Sequence, residues 1–168
     1  LRHLIETIDS SGKIDSNLRV VLVGETLAKF TEPDAHRDYF VHMKRLFNAI
    51  ASDIADQAGA TAILTGENLG QVSSQTLGNL GAVEEASRFR ILRPLLGLDK
   101  QEIIDEARVL GTYQFSTGPE LCDTLGPERP TTVADLTRLR ENENNQGGLN
   151  QLAKICLNSV RMRRLSSE

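Results

Sequence analysis

The sequence predicts an α/β protein built on a parallel sheet. Short segments rich in β-branched and aliphatic residues recur at 18–23, 60–64 and 90–92. Stretches with helical period separate them. The connections are too long for hairpins, so successive strands are expected to run parallel, with helices covering the sheet faces.

Residues Leu1 to Ile8 read as the end of a helix, and Asp9 to Asn17 as a polar turn. Leu18 to Val23 is the first strand. A connection over Gly24 to Pro33 leads into a long helix from about Asp34 to Ala58. Its apolar positions Phe40, Met43, Phe47, Ile50 and Ile54 step by three and four. Gly59 stops it, since glycine accepts the left-handed conformation that ends helices. Ala60 to Leu64 is the second strand, and Arg90 to Leu92, closed by Pro94, is the third. Asp99 followed by Glu102 has the form of a capping box. The helix it starts places Ile103, Ile104, Ala107 and Leu110 on one face and ends at Gly111. Beyond Pro119 the pattern weakens. Val133 to Glu141 reads as a helix, Asn142 to Gly148 as a turn or linker, and Leu149 to Leu165 as a final helix with Leu152, Ile155, Cys156 and Val160 on one face. The Arg161-Met162-Arg163-Arg164 cluster reads as a solvated helix end that suits the dipole, with RNA contact as the alternative.

With 168 residues the chain is long enough to bury a sizeable core. Its net charge of -4 argues against a strong electrostatic binder of nucleic acid. The lack of Trp and the scarcity of other aromatics argue against extended base stacking. No stretch reaches the apolar length of a membrane span and no signal peptide opens the chain, so no membrane role is expected. Cys122 and Cys156 lack metal-ligand spacing, and two cysteines suit a reducing cytoplasm better than a secreted scaffold. His3, His36 and His42 show no catalytic or metal spacing.

The run Thr65-Gly66-Glu67-Asn68-Leu69-Gly70-Gln71-Val72-Ser73-Ser74-Gln75-Thr76-Leu77 leaves the second strand. It is rich in small and hydroxyl side chains. A strand that ends in such a loop lets backbone amides approach an anion. The residue order resembles the signature of the tRNA 4-thiouridine synthases, sulfurtransferases also assigned to thiamine biosynthesis. Two further blocks are similar to that family in the same order. They are Met43-Lys44-Arg45-Leu46 and the segment from Leu92-Arg93-Pro94 through Asp99-Lys100-Gln101-Glu102-Ile103-Ile104 to Gly111-Thr112. Pro119-Glu120-Leu121-Cys122 follows, like the family's cysteine loop. The blocks span Lys44 to Cys122.

The resemblance implies an adenine-nucleotide α-hydrolase-like (PP-loop ATP pyrophosphatase) fold, a doubly wound parallel sheet, incomplete at the N-terminus. It implies ATP with Mg2+ and adenylation of a uridine carbonyl oxygen in tRNA. Sulfur from a persulfide then displaces AMP. Lys44, Gly66 and Gln75 match ATP-contacting positions. The competing readings are a surface lysine beside Arg45, a simple turn and a loop-bracing amide. Lys100 matches a lysine at the reacting centre, where a cation stabilises charge on the α-phosphate. A lysine is poorly placed at a helix N-terminus otherwise. Cys122 matches a cysteine of sulfur transfer, against the reading of a small buried side chain. Arg93 is a helper by position only. Cys156 reads as core.

The family's pyrophosphate loop, Ser-Gly-Gly-x-Asp-Ser, has a partial echo in Ser11-Gly12-Lys13-Ile14-Asp15-Ser16. We read it as a decoy. No apolar strand precedes it, a strand rather than a helix follows it, and Lys44 lies too close. The true loop is then expected upstream, as is the tRNA-binding region. The expected organisation is residues 1–133 as the C-terminal portion of the pyrophosphatase domain and 134–168 as a helical extension. The implied partners are tRNA, engaged through the upstream region, and a cysteine desulfurase or other persulfide donor, with a homodimer left open. The alternatives are a related ATP pyrophosphatase or ligase with another substrate, and a partner-binding remnant that lost catalysis.

Overall fold

A computed structural model describes residues 16–69, 76–117 and 125–165. The decoy motif up to Asp15, together with Gln75 and Cys122, lies outside the described residues. The order is β1 (Ser16–Val20), α1 (Gly24–Ala28), α2 (Pro33–His36), α3 (Tyr39–Ala58), β2 (Ala62–Leu64), α4 (Leu77–Glu84), β3 (Arg90–Leu92), α5 (Lys100–Val109), α6 (Leu136–Asn145), α7 (Leu149–Leu157) and β4 (Arg161–Leu165). The class is mixed α/β.

The expected parallel sheet is present among the described residues as one pair. β2 and β3 run parallel, with Ile63 opposite Ile91. β1 does not join them. It pairs antiparallel with β4, with Ser16 opposite Leu165 and Val20 opposite Arg161. The final helix therefore stops at Leu157, and the arginine cluster is a strand rather than a solvated helix end. The reason is local. Ser159 Oγ donates to the Cys156 carbonyl at 2.6 Å and accepts from Leu22 N–H at 2.9 Å. Such a hydroxyl offers the backbone a partner outside the helix ladder and ties the end of α7 to the segment after β1.

The long helix is also interrupted. Pro33 starts α2 at a position where a missing N–H is harmless, and Arg37 and Asp38 separate it from α3. Asp38 is buried and takes both arms of Arg138, at 2.8 and 3.1 Å. Gly59 ends α3 with φ +64, as its position required. The segment 142–148 is helical through Asn145 and turns only at Gln146 to Gly148. The helix there begins at Leu136, not Val133, because Asp135 caps it by accepting from Thr137 and Arg138 N–H. The Asp99–Glu102 capping box is present in both directions, at 2.9 and 2.7 Å.

α3 is the axis of the core. Met43, Leu46, Ala49 and Ile50 pack with Leu27, Phe30 and α7's Leu152, Ala153 and Cys156. On another flank, Val41 meets Ala82 and Val83 of α4 and Leu139 of α6. A helix packed on two flanks buries more than one stripe, so Leu46 and Ala49 are core although the three-and-four pattern omitted them. Phe47, which it included, is 39% exposed. In α7 the buried stripe is Leu152, Ala153 and Cys156, Ile155 is exposed, and Val160 lies beyond the helix end and is exposed too. α5 buries none of its residues fully. Gly126 answers a close approach, since a Cβ there would stand 2.2 Å from Phe40 Cζ.

Candidate functional site

The carboxyl ends of β2 and β3 open into two loops that are stitched together. Thr65 N–H donates to the Leu92 carbonyl at 3.0 Å, and Leu69 N–H to the Leu96 carbonyl at 3.1 Å. Asn68 Nδ2 reaches the Leu98 carbonyl at 3.2 Å. The first loop is the start of the signature run, and the second is the Arg93-Pro94-Leu95-Leu96-Gly97-Leu98 segment. Ligands of open α/β sheets bind at this edge because loops diverge there and leave a crevice.

Glu67 organises the edge. One carboxylate oxygen accepts from Lys44 Nζ at 2.9 Å, and the other from Arg93 Nε at 2.9 Å and Thr65 Oγ1 at 3.3 Å. Arg93 Nη1 donates to Glu84 at 2.7 Å. Arg93 Nη2 is buried and has no hydrogen-bond partner among the described residues. Burial by itself raises the Glu67 pKa, but hydrogen bonds and charge from Lys44 and Arg93 outweigh it, and the carboxyl is held below its ordinary value. Burial opposes the Arg93 charge as well, and pairing with Glu67 and Glu84 overrides that.

Lys44, Gly66 and Glu67 thus meet at one place. Gly66 is exposed, its φ is not positive, and a Cβ built on it meets nothing within 4 Å. No backbone or packing demand calls for glycine there, which leaves open space at the site's mouth. Lys100 is the exposed first residue of α5, two positions after the Leu98 carbonyl that holds Asn68. Its chain position brings it to the same edge, with no direct bond to the cluster. Glu67 was not singled out by the sequence reading. The available signal was an acid inside an otherwise neutral, small-residue run. Arg93 was noted by position alone.

The neighbour of Lys44 serves a different cluster. Arg45 binds Glu143 twice, Nε to Oε1 at 2.6 Å and Nη2 to Oε2 at 3.0 Å. Its Nη1 donates to Glu85 at 2.8 Å and to the Ala82 carbonyl. Burial penalises both charges, and the pairing overrides it, raising the arginine and lowering the glutamate. His42 Nδ1 lies 3.3 Å from the same carboxylate, its ring stacked on Phe30 at 4.4 Å. Among the described residues no group of three His, Cys, Asp or Glu side chains could hold a metal ion. No helix among them is long and apolar enough to cross a membrane.

Fold and site together define the class: a mixed α/β protein with a cation cluster at the carboxyl ends of parallel strands. The chain belongs to the ThiI family, because the family model for thiamine biosynthesis protein (ThiI) matches residues 2–147. This is the family that the 65–77 run resembles. A tRNA sulfurtransferase of Shewanella baltica is 44% identical over 142 residues, which are 84% of this chain and 29% of the relative. A tRNA sulfurtransferase of Psychromonas ingrahamii is 45% identical over 104 residues, 61% of this chain and 21% of the relative. The crystal structure of a 4-thiouridine synthetase–RNA complex with bound ATP superposes with a TM-score of 0.86 at 30% identity, covering 97% of this chain and 42% of that one. The chain therefore spans less than a third of the length of these curated relatives.

Proposed function

We propose that this chain is the part of a tRNA sulfurtransferase that holds ATP and presents the reacting phosphate for adenylation of a uridine in tRNA. The observation that carries the reading is the Lys44–Glu67–Arg93 cluster at the carboxyl ends of β2 and β3, beside the open space over Gly66. It is supported by the ATP and RNA found in the homologous synthetase structure. Two partly buried cations held side by side by one carboxylate, with N–H donors left over, suit a phosphate.

In this reading Lys44 offsets phosphate charge, the bare backbone at Gly66 lets the nucleotide approach closely, and Gln75 reads the base or ribose. ATP supplies the adenylyl group that turns the uridine oxygen into a leaving group, and Mg2+, when bound, would offset polyphosphate charge. Lys100, from the first turn of α5, neutralises charge on the α-phosphate as the uridine oxygen attacks and pyrophosphate departs. The terminal sulfur of a persulfide then attacks the activated carbon, and AMP leaves with the former uridine oxygen. A thiolate, for which Cys122 is the candidate, cleaves the remaining S–S bond. The base keeps the sulfur, and the enzyme is left with a disulfide that an external thiol reduces. The cysteine desulfurase or another donor reloads the persulfide. The same sulfur could serve thiazole formation. Residues 1–133 would carry the nucleotide chemistry, with 134–168 bracing α3.

The test uses the complete protein with tRNA and a persulfide donor. Lys44→Met is expected to weaken ATP binding by about tenfold to a hundredfold, the effect of removing a hydrogen bond to a charged group. Cys122→Ser is expected to leave tRNA-dependent pyrophosphate release intact and abolish 4-thiouridine. Unchanged ATP affinity in the first variant, or thiolated tRNA from the second, would overturn the corresponding role.

A further inference from the structure

Arg93 has an unusual division of its donors. A guanidinium offers five N–H groups in a fixed plane. Here Nε is committed to Glu67 and Nη1 to Glu84, while Nη2 is buried with no partner among the described residues. The side chain is only 9% exposed. Buried donors are almost always satisfied, so one left open calls for an explanation in structure or in a ligand. Its setting favours a ligand. Arg93 follows β3 directly, at the edge where sheets of this kind hold theirs. The carboxylate that fixes it also fixes Lys44, so the two cations are spaced by the width of one carboxylate. Lys44 Nζ makes one described bond and has three N–H groups. Both cations thus keep donors in reserve, and an anion with several oxygens could use both sets.

We propose that Arg93 is a phosphate-binding residue of the nucleotide site, with Glu67 as the positioning residue that sets Arg93 and Lys44 as one receptor for a phosphoryl group. Nη2 donates to an oxygen of the nucleotide's polyphosphate, and Lys44 donates to the same or an adjacent phosphate. Glu84 holds the opposite arm of the guanidinium and keeps its plane fixed. The carboxylate of Glu67 prevents the two cations from repelling each other before the nucleotide arrives. This inference rests on the ATP-binding reading above. The backbone phosphates of RNA share the same chemistry and are the alternative source.

The experiment measures equilibrium binding of ATP, pyrophosphate and tRNA to the complete protein, as wild type and as Arg93→Lys. Lysine keeps the charge and can still reach Glu67, but loses the planar fork. ATP and pyrophosphate affinity are expected to fall by about tenfold or more, as for loss of a charged hydrogen bond, with tRNA affinity unchanged. Glu67→Gln, which keeps the shape and drops the charge, is expected to raise the KM for ATP more than it lowers kcat. Equal pyrophosphate affinity in wild type and Arg93→Lys would overturn the proposal, as would a loss confined to tRNA. If wild type binds neither ATP nor pyrophosphate, the ATP reading itself fails and this inference with it. Should Arg93→Lys fail to fold, the wild-type structure with a non-hydrolysable ATP analogue decides. Arg93 Nη2 within hydrogen-bond distance of a phosphoryl oxygen supports the proposal, and any other placement of the phosphates overturns it.

Discussion

Lys44 and Arg45 are adjacent on α3, yet they end in two different kinds of charge cluster. Arg45 turns to α4 and α6, where all three guanidinium nitrogens find acceptors and Glu143 uses both oxygens. Lys44 turns to the sheet edge, where Glu67 is shared by two cations and Arg93 keeps a donor with no partner among the described residues. The first cluster is satisfied at every guanidinium nitrogen although it borders a cavity of about 600 Å³, and among the described residues its unpartnered atom is a ring nitrogen of His42, stacked on Phe30 with no exposure. The second leaves Arg93 Nη2 unsatisfied among the described residues, at the carboxyl end of β3. An ionic cluster whose guanidinium is fully hydrogen-bonded is a structural device that braces helices. An incomplete one beside a strand end is what a binding site looks like before its ligand arrives.

The contrast breaks most visibly at Glu143. Glu143→Ala takes away two of the hydrogen bonds of the buried Arg45 and leaves it only Glu85 and the Ala82 carbonyl, and removing one partner of a buried ion pair costs up to about 3–5 kcal/mol. Urea unfolding should show that loss, while ATP affinity per folded molecule stays unchanged. A stability loss below about 1 kcal/mol would mean the cluster is not the brace that its geometry implies.

Acid titration sharpens the comparison next. Glu143 and Glu67 both have folded-state pKa values below the ordinary 4.5. Their stabilisation is therefore complete above pH 4.5, the unfolded value, and is lost as pH falls through the lower folded values. Stability followed by circular dichroism should be flat with respect to these two groups near neutrality and decline below pH 4.5. Glu67→Gln and Glu143→Gln should each remove part of that decline. Equal acid sensitivity in both variants and wild type would sink the assignment.

Gly66→Ala gives the smallest effect on the fold and the cleanest separation of fold from site. Its φ is not positive and a Cβ meets nothing, so alanine should stabilise the chain by about 0.4–1 kcal/mol through the unfolded state. If the nucleotide backs onto that atom, ATP affinity should still fall severalfold. A variant both more stable and equally tight for ATP would remove Gly66 from the site.

Much of this was legible in the residues. The helical period announced α3, Gly59 its end, Asp99 and Glu102 the start of α5, and three short β-branched runs the strands. The signature run named the family. What escaped depended on contacts between distant segments. The pairing of β1 with β4 joins residues more than 140 positions apart, and no local pattern in Arg161-Met162-Arg163-Arg164 distinguishes a strand from a helix end. α4, over Leu77–Glu84, went unassigned because its glycines are weak helix formers. Thr76 caps it by accepting from Asn79 N–H, and Asn79 is buried between the Thr131 carbonyl and the Ala134 amide.

By itself, then, the sequence determined the long helix and its glycine stop, the parallel strand pair, the capping box of α5, the family, and Lys44, Arg93 and Lys100 as candidates for the site. Those features are written in local period, capping chemistry and residue order. Only the tertiary structure decided which cation pairs with which acid, and that Glu67 is shared while Glu143 is consumed. Electrostatics at 3 Å depends on which side chains the fold brings together and how much water it excludes, and neither is encoded in a single segment.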